Sequence, residues 1–256
     1  MRRTRTKIQF LGTGDAFNTD GRGSQCIWVQ PRQGPQFLVD AGPTALAAMG
    51  RHRVDPGRIG AIFFTHLHGD HIAGWPFLLL HAKFIARRTA PLAVVGPKGS
   101  RNRLGVLAGS CYEEITSPGT LPFRVRFAEL PVRRRAGWRS PLGFDVDVVP
   151  MDHHPSSIGF RFHLSGATIA VTGDTRWCTG LEELSADSDL LVLECTCLRK
   201  PDYAHVSLEE LRSGIERLRA RRIVLTHLSN EVARALKRRP LPGVTAAEDG
   251  MILRIG

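Results

Sequence analysis

The sequence predicts an α/β sandwich that extends over residues 1–256 as a single domain. Short apolar runs rich in Val, Ile and Phe recur between polar loops along the whole chain, which is typical of buried strands. Segments with helical signals lie between some of these runs, and no low-complexity linker divides the chain. A chain of 256 residues is also long enough to bury a large hydrophobic core.

The predicted strands are bounded by Gly, Pro or Asp residues. They cover residues 7–11, 26–29, 36–39, 61–65, 92–95, 144–149, 158–164, 168–172, 190–193 and 222–226. Helices are predicted at residues 44–50, 208–220 and 231–239. Ser207 is the expected N-cap of the second helix, with Glu210 as its capping-box partner, and Pro240 ends the third.

The chain carries a formal charge of +11, from 35 Lys and Arg against 24 Asp and Glu, which favours a phosphate-rich or nucleic-acid partner. Most of these cations are Arg, a bias that genome composition also produces, so charge alone leaves the partner open. No apolar stretch approaches the roughly 18 residues of a membrane span, and no secretory apolar region follows the basic N-terminus. Five scattered cysteines do not predict a disulfide framework. The expected location is therefore a reducing cytoplasm, without membrane contact.

The most informative segment is Thr65-His66-Leu67-His68-Gly69-Asp70-His71, which directly follows an apolar strand. His66 and His68 are two residues apart, so in extended backbone they point to the same side and can hold one metal. Gly69 allows a sharp turn, after which Asp70 and His71 can hold a second metal. Imidazole and carboxylate ligands suit Zn²⁺, with Mn²⁺ or Fe as alternatives. A polar loop with surface histidines does not account for four possible ligands at this spacing.

Three further strands end close to a possible metal ligand. Asp174 follows the strand 168–172, and its two carboxylate oxygens can bridge two metals. His227 follows the strand that ends at residue 226, and the adjacent His153 and His154 follow the strand 144–149. We expect these strand ends to meet at one edge of the sandwich, and the residues alone leave the choice between His153 and His154 open.

The histidine motif, Gly173-Asp174 and Thr226-His227, in this order, resemble the metallo-β-lactamase superfamily, and more narrowly its ribonuclease Z-like and phosphodiesterase branch. Leu11-Gly12-Thr13-Gly14 and Val39-Asp40-Ala41-Gly42 also fit that branch. The resemblance covers nearly the whole chain. It implies a four-layer αββα sandwich with the metal site at the strand ends.

The resemblance also implies a specific set of ligands for two zinc ions. The first ion would be held by His66, His68 and His153, the second by Asp70, His71 and His227, and Asp174 would bridge both. His153 is favoured over His154 because Pro150-Met151-Asp152-His153 matches the branch pattern before Ser157-Ile158-Gly159-Phe160.

Two more segments resemble motifs of ribonuclease Z-like proteins, namely Glu194-Cys195-Thr196 and His205-Val206-Ser207. In that interpretation Glu194 orients His205, and His205 stabilises or protonates the reacting phosphate. The alternative is that Glu194 ends a strand in solvent and His205 is a loop residue. One feature departs from ribonuclease Z: His153 and Asp174 are only 21 positions apart (174 − 153), which leaves no room for the long tRNA-binding arm.

These observations favour a dinuclear zinc phosphodiesterase in which a hydroxide bridging the metals attacks phosphorus and Asp70 helps to orient it. The expected substrate is a phosphate-bearing small molecule or a nucleic acid, and the resemblance implies a homodimer. A lactonase or thioesterase of the same superfamily is the alternative enzyme. A non-catalytic nucleic-acid-binding protein with structural zinc is a third hypothesis. Basic residues expected to rim the site are Arg87, Arg88, Lys98, Arg101 and Arg103.

Overall fold

The strands form two sheets in the computed structural model, which describes residues 5–117, 119–131, 135–200 and 205–256. In chain order the strands are β1 (Thr6–Gly12), β2 (Cys26–Gln30), β3 (Gln36–Val39), β4 (Ile59–Phe63), β5 (Leu92–Pro97), β6 (Val125–Leu130), β7 (Ala136–Arg139), β8 (Asp145–Pro150), β9 (Ile158–Leu164), β10 (Ala167–Val171), β11 (Leu190–Glu194), β12 (Ile223–Thr226), β13 (Val244–Ala246) and β14 (Ile252–Ile255).

The two sheets follow the same pairing scheme over the described residues. The first has the order β14-β1-β2-β3-β4-β5-β6, with three antiparallel pairings followed by three parallel ones. The second has the order β7-β8-β9-β10-β11-β12-β13, again with three antiparallel pairings and then three parallel ones. Each sheet therefore has a parallel half, and in open α/β sheets ligands bind beyond the carboxyl ends of such strands.

The sheets pack face to face through apolar side chains that both contribute. Phe37 and Phe63 of the first sheet contact Phe162 of the second, with ring centroids 4.9 and 5.0 Å apart. Parallel strands covered on both faces are apolar almost throughout, and β11 accordingly has every residue buried. This shared core fixes how the two sheets meet at their edges.

Helices cover the outer face of each sheet. They are α1 (Ala45–Arg51), α2 (Gly69–Ile72), α3 (Trp75–Leu80), α4 (Ser100–Cys111), α5 (Thr179–Ser185), α6 (Leu208–Gly214) and α7 (Asn230–Arg238). Helices α1, α3 and α4 pack on the first sheet and α5, α6 and α7 on the second. The prediction of a four-layer αββα sandwich is thereby confirmed. Within the described segments, no helix has both the length and the apolar character needed to cross a bilayer.

The sequence predictions differ from the structure at several elements, and the helices α2 to α5 were not among the predicted helices. Strand β4 ends at Phe63, so Thr65 already lies in the loop that carries the histidines. The helix predicted to reach residue 220 ends at Gly214, where a Cβ would lie 2.9 Å from the Trp177 ring, and a 3-10 turn follows. Four strands were not predicted, namely β6, β7, β13 and β14.

The predicted capping box at the start of α6 is confirmed. The Ser207 hydroxyl accepts a hydrogen bond from the Glu210 backbone N–H at 3.1 Å, and the Glu210 carboxylate accepts one from the Ser207 N–H at 3.1 Å. Loss of an N-cap hydroxyl costs a helix about 1 kcal/mol, because a backbone donor is left without its partner.

We therefore expect Ser207→Ala to lower the free energy of unfolding by about 1 kcal/mol in urea titrations. Ser213→Ala is the matched control, because the exposed Ser213 hydroxyl only bonds back to the Glu209 carbonyl within the same helix. Such mid-helix serines contribute little stability, so that variant should unfold close to the wild type. Equal unfolding midpoints for the two variants would contradict the assigned cap.

Candidate metal centre

The side chains predicted as metal ligands converge where the two sheets meet. The histidine loop follows β4 of the first sheet, whereas Asp174 and His227 follow β10 and β12 of the second. His153 follows β8, also of the second sheet. Gly173, just before Asp174, has a φ of +61°, and a Cβ there would lie 2.5 Å from the Thr65 Cβ. Only glycine permits this turn and this approach between the two sheets.

His66, His68 and His153 form the first group of candidate ligands. Their ligand atoms lie within 4.8 Å of one another. His68 Nδ1 and His153 Nε2 lie 3.1 Å apart. Three imidazole nitrogens at this separation can face a single cation, as expected of a zinc site with open positions.

Asp70, His71, Asp174 and His227 form the second group, again with ligand atoms within 4.8 Å of one another. Asp70 Oδ2 lies 3.1 Å from His227 Nε2 and 3.3 Å from His71 Nε2. This group combines two carboxylates with two imidazoles, a donor set that suits Zn²⁺, Mn²⁺ or Fe.

Asp174 faces both groups. Its Oδ2 lies 3.8 Å from His66 Nε2 and 3.9 Å from His153 Nε2, both of the first group. In the second group, Oδ2 lies 3.5 Å from His227 Nε2 and Oδ1 lies 3.4 Å from His71 Nε2. The carboxylate therefore stands between the two groups, as a bridging ligand would.

Several of these buried atoms have no hydrogen-bond partner among the described residues. They are His66 Nε2, His71 Nε2 and Asp174 Oδ1. Unsatisfied buried polar atoms are costly in a folded protein and rare outside sites that bind something. His71 Nε2 lies 3.4 Å from Asp174 Oδ1, and His66 Nε2 lies 3.8 Å from Asp174 Oδ2. Because imidazole and carboxylate atoms this close together are usual metal ligands, the residues present fit divalent metal ions.

Asp40 supports the first-sheet side of the centre. This fully buried carboxylate accepts a hydrogen bond from His71 Nδ1 at 2.8 Å and another from the Thr65 hydroxyl at 2.9 Å. Thr65 Oγ1 also lies 3.1 Å from His66 Nδ1. Both imidazoles are thereby held by Nδ1 and turn Nε2 toward the centre, which is how outer carboxylates orient metal-binding histidines.

Glu194 supports the second-sheet side in the same way. Its Oε1 lies 2.8 Å from His205 Nδ1, and its Oε2 accepts a hydrogen bond from the Thr196 hydroxyl at 3.1 Å. Thr196 Oγ1 lies 2.9 Å from His227 Nδ1. The alternative in which Glu194 ends its strand in solvent is wrong, because Glu194 is only 1% exposed. One buried carboxylate thus positions two imidazoles.

Burial and neighbouring charges shift the pKa values within the centre in opposite directions. Burial lowers the pKa of His66 well below its usual value, and His71 adds to the effect. Burial alone would raise the pKa of Asp174, but His227 and His71 hold it well below its usual range. Burial opposes protonation of His71, yet Asp174 and Asp40 raise its pKa well above the usual value. Asp174 is therefore anionic and attracts cations, and a divalent ion bound here would supply positive charge to balance it.

His205 is the candidate acid beside the centre. Its side chain is partly buried, its Nδ1 lies 4.0 Å from Asp174 Oδ2, and its ring centroid lies 4.9 Å from that of His153. Burial opposes protonation, but the hydrogen bond to Glu194 raises the pKa of His205 above its usual value. The arrangement places an imidazole with a raised pKa at the border of the site.

The structure also places His154 and two of the basic residues that were expected to rim the site. His154 is exposed, its Nδ1 lies 3.0 Å from the Ser156 hydroxyl, and it belongs to neither ligand group, whereas His153 does. Arg88 does not rim the site, because its buried guanidinium donates to the carbonyls of Ile59, Ala90 and Pro91. Ile59 begins β4, so Arg88 lies at the end of that strand opposite the histidine loop. Arg103, by contrast, borders a cavity together with Gly69 of the histidine motif.

Sequence reasoning gave no role to Asp40, Thr65 and Thr196, which hold the ligand histidines from outside. The sequence position of Asp40 could have indicated a role at the site, because Asp40 directly follows the buried strand β3, just as Asp174 closely follows β10. The two threonines carried no such signal, because a hydroxyl at a strand end usually only satisfies nearby backbone.

Comparison with known proteins gives a matching family model, related sequences and similar structures. The family model described as anti-Pycsar protein Apyc1 matches residues 6–242. A ribonuclease Z of Bacillus anthracis is 30% identical over an alignment of 271 positions. This alignment covers 86% of this chain and 88% of that protein. The crystal structure of the short form of human tRNase Z superposes with a TM-score of 0.77 at 26% identity, over 98% of this chain and 99% of the other.

A metallo-β-lactamase fold protein from Bacillus subtilis, YhfI, has the same fold, with a TM-score of 0.76 at 19% identity over 97% of this chain and 98% of its own. The sequence match, the shared sandwich and the histidine motif at the strand ends agree with one another. The chain belongs to the anti-Pycsar Apyc1 family, within the ribonuclease Z-like and phosphodiesterase branch of the metallo-β-lactamase superfamily of metal-dependent hydrolases.

Proposed function

We propose that this protein is a phosphodiesterase that works with two divalent metal ions, with Zn²⁺ as the first choice. The observation that carries the proposal is a pair of adjacent ligand groups, with Asp174 of the second group close to the histidines of the first and a Glu194–His205 pair beside them. His66, His68 and His153 would hold one ion, and Asp70, His71 and His227 the other. Two bound ions would acidify a water molecule and neutralise negative charge on the phosphate.

The chain's own residues have distinct tasks in this proposal. Asp70 accepts hydrogen bonds and orients the attacking water, because its Oδ2 faces the centre between His71 and His227. His205 donates a proton to the departing oxygen, and Glu194 keeps the imidazole oriented and protonated through a 2.8 Å contact. A thiolate leaves without protonation, so the presence of this proton donor favours phosphodiesters over thioesters.

The substrate class follows from the relatives and the site together. A ribonuclease Z and a tRNase Z bear names that refer to RNA, and the excess of basic residues suits a phosphate-bearing partner. Residues 154–173, which separate His153 from Asp174, hold only β9, β10 and their connections, so no arm is inserted there. A nucleotide or short nucleic acid is therefore a better substrate than a whole tRNA. A cytoplasmic location is part of the proposal, because the described cysteines form no disulfide with one another.

The experiment that tests the function is a substrate panel on protein reconstituted with Zn²⁺ or Mn²⁺, with metal content measured in parallel. The panel contains bis-p-nitrophenyl phosphate, a cyclic nucleotide, a dinucleotide, a short RNA, a thioester and a lactone. We expect turnover of phosphodiesters, its loss with a chelator, and two ions per chain. Good turnover confined to the thioester or lactone would reject the proposal, and salt-dependent RNA binding without turnover would favour a binding protein.

His205→Ala should distinguish leaving-group protonation from a merely structural role. A sugar hydroxyl leaves poorly without a proton, so we expect kcat on the dinucleotide to fall by about 10²- to 10⁴-fold. The loss on bis-p-nitrophenyl phosphate should be much smaller, because p-nitrophenolate leaves without protonation. His163→Ala is the matched control, since His163 contacts Asp147 on the second sheet and touches no ligand group. Equal losses on both substrates would contradict the acid role.

Asp40→Asn should weaken metal binding while preserving the backbone. Asn tolerates the left-handed conformation of this residue, which has a φ of +58°, but carries no charge to hold His71. We expect a 10- to 100-fold loss of metal affinity, on the order seen for such outer carboxylates, measured by competition with a chelating dye. Asp145→Asn is the control, because Asp145 only pairs with the exposed Arg139. Unchanged metal affinity in Asp40→Asn would exclude the supporting role.

A further inference from the structure

A pocket of about 550 Å³ opens next to the metal centre, within the range of about 300–1,000 Å³ that is typical of ligand pockets. It is lined by Asp15, Phe17, Thr196, Leu198, Arg199 and Glu231, among others. None of these residues belongs to the two ligand groups, so metal binding does not account for the pocket.

Thr196 connects this pocket to one of the candidate metal ligands, His227. Thr196 in the pocket wall contacts His227 Nδ1 at 2.9 Å, while Nε2 of the same ring faces Asp70 and Asp174. Thr196 therefore belongs both to the pocket wall and to the support of His227, which places the pocket beside the centre.

Both walls of the pocket are fixed to the elements that carry the centre. On one side, the Leu228 N–H donates to the Thr13 carbonyl at 2.9 Å, and Asp15 Oδ1 accepts from the Phe17 N–H at 3.2 Å. On the other side, the first N–H groups of α6 donate to the carbonyls of Cys197 and Leu198 at 2.8 and 3.1 Å. The pocket is thus formed before any ligand arrives.

Phe17 is the unusual feature of this pocket. It is 82% exposed, although the loop around it is held by the Asp15 carboxylate, which also contacts the Thr19 hydroxyl. An exposed ring on a fixed loop offers its face to a planar partner, and such stacking with a base is largely independent of sequence. Arg199 and Glu231 add a hydrogen-bond donor and an acceptor at the rim.

We propose that this pocket, which we call the Phe17 pocket, receives the nucleobase of the substrate and that Phe17 stacks on it. The proposal rests on the proposed phosphodiesterase function, and it locates base recognition in the loop after β1. The metals and His205 then act on the phosphate, whereas the Phe17 pocket selects nucleotides over other phosphodiesters.

The test is a calorimetric titration of metal-loaded protein with AMP and with ribose 5-phosphate, which lacks the base. Neither is a diester, so the measurement does not depend on turnover. We expect AMP to bind the wild type about tenfold more tightly than ribose 5-phosphate, the size of effect that one stacked base gives. Phe17→Ala should remove this preference and leave the affinity for ribose 5-phosphate unchanged, and Phe17→Trp should restore it.

Phe84→Ala is the matched control, because Phe84 is a second aromatic residue with 57% exposure and does not line the Phe17 pocket. It should keep the full preference for AMP. Equal binding of the two ligands to the wild type overturns the proposal, as does an equal loss in both alanine variants. Failure of the phosphodiesterase function appears separately, as a panel without phosphodiester turnover, and leaves this titration decisive.

Discussion

The position of Asp174 is the constraint on which the rest of the site depends. A carboxylate that is almost fully buried must be balanced by positive charge or by hydrogen bonds, because burying it alone is very costly. Here it lies within 4 Å of nitrogens from both ligand groups. That balance exists only if the strand ends of the two sheets lie next to each other. The charge on one side chain therefore constrains how the two sheets are arranged along this edge.

The outer supports reflect the repeated pairing scheme of the two sheets. In each sheet the first strand of the parallel half is followed by an aspartate, Asp40 after β3 and Asp174 after β10. One of these carboxylates lies between the ligand groups, and the other stands behind His71 and holds its ring. The backbone is left-handed at Asp40, which follows β3, and at His227, which follows β12, with φ values of +58° and +53°. The chain therefore turns sharply at these two strand ends, where both side chains contribute to the centre.

Much of this arrangement was predictable from sequence, and the parts that were not have physical reasons. The histidine loop, Asp174 and His227 were found because metal ligands at strand ends interrupt apolar runs abruptly. Strands β6 and β7 were missed because they lie at sheet edges, where exposed positions such as Arg126 and Arg139 remove the apolar pattern. Contacts such as Thr196 with His227 join residues 31 positions apart, and no local pattern encodes them.

The pairing of β14 with β1 has a consequence for how the protein is made. Thr6 is paired with Ile255, so the outer edge of β1 remains uncovered until β14 has formed. Until then, β1 presents unpaired backbone groups along one side, which invites association with other chains. Contacts this distant in sequence also slow folding, because the loop they close runs from Thr6 to Ile255. The first sheet is therefore complete only after β14 has been synthesised and has paired with β1.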